Sequence, residues 1–310
     1  MEKIAVAIPS YKFRYCNDKK HHILMNLDDI DKKYDVYVFL QTNDETVQEY
    51  LNVIKETDNI HIVIADVDNM YKKRQYMFDY LRERGYNGYF QIDDDIMYVA
   101  FKIDETTKRE TSNTYRFYKC PFSEMLDKMV SAAKQYDAGY VTVSRWGYIG
   151  WKKPNEVGIN HQVNPAQFGY FSIDKMAAAG VKYTTDGSVW DDVDMILQLF
   201  QNEINCITVF DYMFEPLNIT WKDMEVGTLD YNTRKVQMLS INLAKKWHAD
   251  IEILKKRDVL HEKIKFNKYW GLKELPPIDD YKKKLYELCD EGDFDKIREY
   301  IIDNKNGKKK

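Results

Sequence analysis

Short apolar runs closed by turn-forming residues recur through the first 150 positions, with amphipathic stretches between them. KIAVAIPSY (3–11), YDVYVFLQTND (34–44), IHIVIADVD (60–68) and GYFQID (88–93) read as strands. ETVQEYLNVIKE (45–56) and NMYKKRQYMFDYLRERG (69–85) have helical spacing, the second with Asn69 placed to cap it and Gly85 to stop it. A helix over 123–136 leads into the strand AGYVTVSRW (138–146). Strands alternating with helices predict an α/β fold, a mostly parallel sheet flanked by helices.

The second half is more irregular. RWGYIGWKKPNEVGINHQVNPAQFGYF (145–171) sets Gly, Pro and Asn among aromatic residues, as in a long loop or hairpin that covers a site. SVWDDVDMILQLFQNE (188–203) is a helix whose apolar stripe is Val193, Ile196, Leu197 and Phe200, and INCITVFDYMF (204–214) is a strand. Beyond 230 the chain reads as helices, with Pro276-Pro277 marking a break before a last helix pair and NKNGKKK a mobile tail.

Composition narrows the class. A chain of 310 residues that is 44% hydrophobic can bury a sizeable core, and a net charge of −4 excludes a globally basic nucleic-acid binder while allowing a local basic face. Four scattered cysteines form no CxxC pair, so neither a structural zinc site nor a disulfide framework is expected. The start MEKIAVAIPSYKF turns polar too soon for a signal peptide, and no apolar run approaches the ~20 residues that span a bilayer. A cytoplasmic protein is expected. The abundance of Lys, Ile, Asn and Tyr suits an AT-rich bacterial or phage genome.

In open parallel sheets ligands bind beyond the carboxyl ends of the strands. Ser10, Asn43, Asp66, Asp68 and the run Asp93–Asp95 close such strands here, so topology alone gathers them at one edge. Three successive aspartates inside an apolar stretch are costly, because aspartate is a poor strand former and like charges repel. A bound divalent cation is the first candidate to offset that cost, the alternative being an acidic turn that simply faces water. On a strand, alternation puts Asp93 and Asp95 on one face and Asp94 on the other, so that pair is the expected oxygen ligand set for Mg²⁺ or Mn²⁺. Arg74 is equally consistent with a site residue and with one solvated charge beside Lys72, Lys73 and Arg82. The acids of WDDVDM (190–195) open a helix, where the macrodipole favours them.

The succession of an N-terminal VAIPSY strand and a strand–DxD–apolar segment resembles the GT-A (Rossmann-like) fold of nucleotide-sugar glycosyltransferases. The resemblance spans about 3–215. It implies a GT-A domain over 1–230, with a nucleotide-binding half 1–100 and an acceptor half 101–230 containing the irregular acceptor loop. Residues 231–310 are then a helical C-terminal extension. It places Pro9, Ser10, Tyr11, Asp66, Asp68, Arg74, Asp93 and Asp94 around the nucleotide, and Asp93 and Asp95 on the metal. It makes Asp192 the general base of an inverting transfer, with Asp191 as its companion. The expected donor is a UDP-sugar, with Mn²⁺ or Mg²⁺.

IPSYKFR, YFQIDDDIMYV and VWDDVDMILQLF are similar, more narrowly, to the TET/JBP-associated, phage-type DNA base glycosyltransferases. That likeness implies duplex DNA carrying hydroxymethylated pyrimidines as acceptor. Arg145, Trp146, Trp151, Lys152 and Lys153 would then meet the acceptor, with Lys263, Lys265 and Lys268 as further phosphate contacts. A saccharide, protein or small-molecule acceptor stays open, as does a nucleotidyltransferase or a non-catalytic nucleotide-binding relative. His161, His248 and His261 are outlying candidates for the site, the last two as a third metal ligand.

Overall fold

The first strand sets the architecture. β1 (Ile4–Pro9) is buried along its whole length, as a central parallel strand covered on both faces must be. Its side chains alternate: Ile4, Val6 and Ile8 enter one hydrophobic layer, Ala5 and Ala7 the other. The alanines lie on the side where α2 (Met70–Glu83) packs, and their small size lets that helix approach the sheet. β2 (Asp35–Gln41) repeats the pattern, with Val36, Val38 and Leu40 on the first side and Tyr37 and Phe39 on the second. The structure, a computed structural model, describes residues 2–11, 23–27, 30, 32–108, 113–145, 155–160, 168–183, 191–216, 234–254, 259–265 and 268–307.

β3 (Ile60–Ala65), β2, β1 and β4 (Gly88–Ile92) pair in parallel in that order. α1 (Val47–Val53) joins β2 to β3, and α2 joins β3 to β4. The sheet then continues through β9 (Phe168–Ser172), β7 (Ala138–Arg145), β10 (Asn205–Pro216), β5 (Ile96–Lys108) and β6 (Asn113–Cys120). β8 (Val157–Ile159) adds to β10. Strands β9, β5 and β8 run against the rest. α3 (Phe122–Gln135) covers the first layer. α4 (Ile173–Ala178) and α5 (Asp191–Gln201) cover the second.

Two segments differ from the sequence reading. The stretch 145–171 is more than a covering loop, because β9 is a fully buried strand wedged between β4 and β7. Phe168, one of its aromatic residues, is core, stacked between Phe122 and Phe214. Close approach is built in: a Cβ on Gly88 would lie 2.5 Å from the Tyr170 hydroxyl. The sheet crosses residue 100 without a break, since β5 pairs with β10.

The C-terminal part is not purely helical. After α6 (Arg234–Lys246) come a hairpin, β11 (Asp250–Leu254) with β12 (Val259–Lys263), and then α7 (Asp280–Glu291) and α8 (Phe294–Gly307). Ile251 and Leu260 turn inward onto Ile241, Leu285, Ile297 and Ile301, giving this part its own small core. The last helix pair follows Pro276-Pro277 as expected, with Asp279 capping α7 and Gly292, at φ +69°, ending it. α8 runs to Gly307, so much of the supposed mobile tail is helical. Among the described residues no helix is long and apolar enough to cross a membrane.

Candidate functional site

The three aspartates lie in a turn, not on a strand. β4 ends at Ile92, and the Ile96 amide donates back to the Asp93 carbonyl at 3.3 Å. The two-face alternation expected for Asp93–Asp95 therefore does not apply, and each carboxylate is free to seek its own partner. Asp93 faces Arg74, whose Nη2 lies 3.3 and 3.4 Å from its two oxygens. Asp94 accepts a hydrogen bond from the Ser10 hydroxyl at the end of β1. Ser10 has one proton to give, so the Tyr50 hydroxyl, 2.7 Å away, donates to Ser10.

α2 supplies the cations. Asn69 caps it by accepting from the Lys72 amide at 2.9 Å, and Gly85 follows its end at φ +74°. Lys73 and Arg74 then fall on the buried stripe with Met77, Phe78 and Leu81. Lys73 is fully enclosed and donates to the Ser10 carbonyl at 2.6 Å. Burial pushes its ammonium down to about 8, against the pull of Asp94 and Asp44. Its Nζ lies 5.7 Å from the centre of the Tyr11 ring.

Arg74 reaches a second acidic group 117 residues away in sequence. Its Nη1 lies 2.9 Å from both oxygens of Asp191, the first residue of α5. Burial disfavours its charge, but Asp191, Asp93 and Asp192 together hold the guanidinium well above its ordinary range. Asp93 is itself pushed up by burial, with Arg74 opposing the shift. Asp192 follows Asp191 in the first turn of α5. Burial and the Asp191 charge raise its carboxyl to about 7, while Arg74 and the Val193 amide, 2.8 Å from Oδ1, pull the other way. One guanidinium thus ties the acidic turn to the acidic helix, beside a carboxyl that titrates near neutrality.

The remaining candidates spread along the same edge. Pro9 and Ser10 are buried and Tyr11 is half-buried. Asp66 and Asp68, after β3, are exposed: Asp66 accepts from Thr42 and Asp68 pairs with Lys72 at 2.8 Å. Arg145 ends β7. Trp146, Trp151, Lys152, Lys153 and His161 lie outside the described residues. His248 bonds the Pro276 carbonyl and His261 the Glu262 carbonyl, both in the C-terminal part. Among the described residues no three His, Cys, Asp or Glu side chains gather into a metal cage. The donor set nonetheless suits Mg²⁺ or Mn²⁺, which take one or two carboxylates and complete their shell with water and phosphate oxygens. Sequence reasoning missed Lys73. A Lys-Arg pair at the positions that continue the Met77, Phe78, Leu81 stripe is the signal that marks it.

No protein-family model and no curated protein sequence matches the chain. Solved structures do. The mannosyltransferase PcManGT from Pyrobaculum calidifontis, in complex with GDP-Man and Mn²⁺, superposes with a TM-score of 0.51 at 12% identity, over 79% of this chain and 63% of that one. Residues 1–349 of S. aureus TarS, in complex with UDP-GlcNAc, superpose with a TM-score of 0.50 at 13% identity, over 81% and 68%. The fold is GT-A. The chain spans about two thirds of the length of these GT-A neighbours.

Proposed function

We propose that this GT-A chain is a metal-dependent glycosyltransferase that moves a sugar from a nucleotide-sugar donor to a hydroxyl acceptor with inversion. The observation that carries the reading is Arg74, which joins Asp93 of the turn to Asp191 beside Asp192. A donor diphosphate at the turn and an acceptor at the start of α5 are thereby held in one frame. Asp192 takes the proton of the acceptor hydroxyl as its oxygen bonds the anomeric carbon. The bond from that carbon to the diphosphate breaks, and its electron pair leaves with the nucleoside diphosphate. A carboxyl poised near 7 suits a base working at neutral pH. Pro9, Ser10, Tyr11, Asp66 and Asp68 line the donor side.

Asp95 and Asp93 are the residues to hold the divalent cation, which would neutralise the leaving diphosphate. The Asp93–Arg74 contacts are longer than those of Asp191, which leaves an Asp93 oxygen able to turn towards a cation. The acceptor reading, a hydroxymethylated pyrimidine in duplex DNA, rests on the sequence likeness and on Arg145, Lys152 and Lys153. The base hydroxyl would lie in the major groove.

The test is a donor screen with Mn²⁺, using UDP-glucose, UDP-GlcNAc and GDP-mannose. DNA containing hydroxymethylcytosine is offered beside saccharide acceptors, and the products are weighed by mass spectrometry. A sugar added with release of a nucleoside diphosphate is expected. Pyrophosphate release from a nucleoside triphosphate, with no sugar transfer, would overturn the reading in favour of nucleotidyl transfer.

A further inference from the structure

Asp194 is the most deeply enclosed acid of α5, and no step of the proposed reaction uses it. It has no exposed surface. Its Oδ1 accepts from the Trp247 indole at 2.7 Å and lies 2.6 Å from the Lys246 ammonium. Its Oδ2 accepts from Gln198, one turn on, at 2.8 Å. Lys246 and Trp247 come from the end of α6, outside the chain segment that carries the rest of the site.

Residues three apart share a helix face, so Asp191 and Asp194 point into the protein together. Asp191 is gripped from α2 through Arg74, and Asp194 from α6 through Lys246 and Trp247. The first turn of α5 is thus pinned at two points by two different elements. Asp192 lies between these points, so its direction is set by both. Trp247 is core, edge-on to Tyr269, and Phe200 at the far end of α5 meets Trp270 and accepts from the Gly271 amide. The C-terminal part therefore grips α5 along its length.

We infer that Lys246, with Trp247, is a positioning residue for the proposed general base: it acts through Asp194 to aim Asp192 at the acceptor. The inference rests on the glycosyltransferase reading. It makes the C-terminal part a working member of the site rather than an appendage. Misplacing a catalytic group by about 1 Å can cost on the order of 100-fold in rate.

Lys246 is 42% exposed, so it can be changed without opening the core. The experiment compares the full chain with Lys246→Met and Lys246→Arg, in Mn²⁺ and the donors above. It records kcat, donor KM and amide hydrogen exchange across Met195–Phe200. Lys246→Met is expected to lower kcat about 10- to 100-fold, to leave donor KM within about twofold, and to speed exchange in α5. Lys246→Arg, which keeps the charge at Asp194, should restore kcat to within a few-fold. A second variant, Asp194→Asn, keeps the indole contact and should match Lys246→Met. If Lys246→Met turns over normally at a temperature well below its Tm, or if α5 exchange is unchanged, the inference falls while the glycosyltransferase reading stands. A wild-type chain that consumes none of the donors overturns both.

Discussion

The two acidic stretches, Asp93–Asp95 and Asp191–Asp194, contain the same residue type at nearly the same density and solve their repulsion in opposite ways. In the first, the backbone turns, and neighbouring carboxylates diverge to partners on different elements: Asp93 to Arg74 of α2, Asp94 to Ser10 after β1. In the second, the helix fixes the angle between successive residues. Asp191 and Asp194 are forced onto one buried face, where Asp191 shares Arg74 with Asp93 and Asp194 meets Lys246, and Asp192 falls off that face. A turn distributes acids by letting each choose. A helix distributes them by period, and burial with the Asp191 charge raises the carboxyl that falls out of phase, against the pull of Arg74. On the reading proposed above, the paired positions anchor the helix and Asp192 serves as the base.

This contrast can be broken at its most sensitive point first. Asp192→Asn removes basicity but little volume. Transfer at saturating substrates should fall on the order of 10²–10⁴-fold, while nucleotide affinity, measured calorimetrically, stays near wild type. If Asp191→Asn is the more damaging change to rate, the assignment of roles within the helix is reversed. Next in size is Arg74→Met, which leaves Asp191 and Asp93 buried without their shared counter-charge. Urea denaturation should show a loss of about 3–5 kcal/mol, the usual result of removing one partner from a buried ion pair. Arg74→Lys should recover part of it, since an ammonium cannot make the bidentate contact.

The pH dependence sharpens the comparison. As the proposed base Asp192 would act deprotonated, so the transfer rate should rise with pH and level off above about 7. Stability moves the other way. The folded carboxyl holds its proton up to about 7, whereas the unfolded one releases it near 3.8. The native state binds more protons across that window, and its advantage drains away as pH rises through it. Asp192→Asn, with no charge to bury, should therefore melt at a higher temperature than wild type at pH 8. Equal melting curves there would mean that the Asp192 carboxylate is not under strain. The smallest effect is expected at the turn: Asp94→Asn can still accept from Ser10 but removes a charge that supports the buried Lys73 ammonium, and should cost about 1–3 kcal/mol in thermal unfolding.

Much of the scaffold could be read from the chain because local rules and tertiary burial agree there. Asn69 caps, Gly85 stops, and the apolar alternation of β1 and β2 survives intact. Reading failed where pairing is remote. The β5–β6 hairpin carries polar runs such as KIDETTK that look solvated, and FGYFS of β9 carries no alternation to distinguish a strand from a loop. The short β11–β12 hairpin hides among helices because only Ile251, Ile253 and Leu260 mark its buried side. In the site, topology was enough to bring Ser10 and the aspartates together. The bridge from Arg74 to Asp191 was not legible, since no local pattern links residues 117 apart. Lys73 was passed over because its charge suggested water, whereas its phase on α2 places it inside.

β4 has one further consequence, for the chain as it is made. Its neighbours are β1, synthesised long before it, and β9, synthesised some eighty residues after it. While the ribosome is still translating the intervening segment, Gly88–Ile92 is a naked edge on a growing parallel sheet, although every one of its residues is buried in the finished protein. Contacts this distant are slow to form and leave nascent strands open to wrong partners. Strands β3, β2, β1 and β4 therefore keep an open edge at β4 until its second neighbour is made. They wait for Phe168–Ser172 to emerge, and a fragment ending near residue 100 would present to its fellows in the cell the edge that β9 exists to seal.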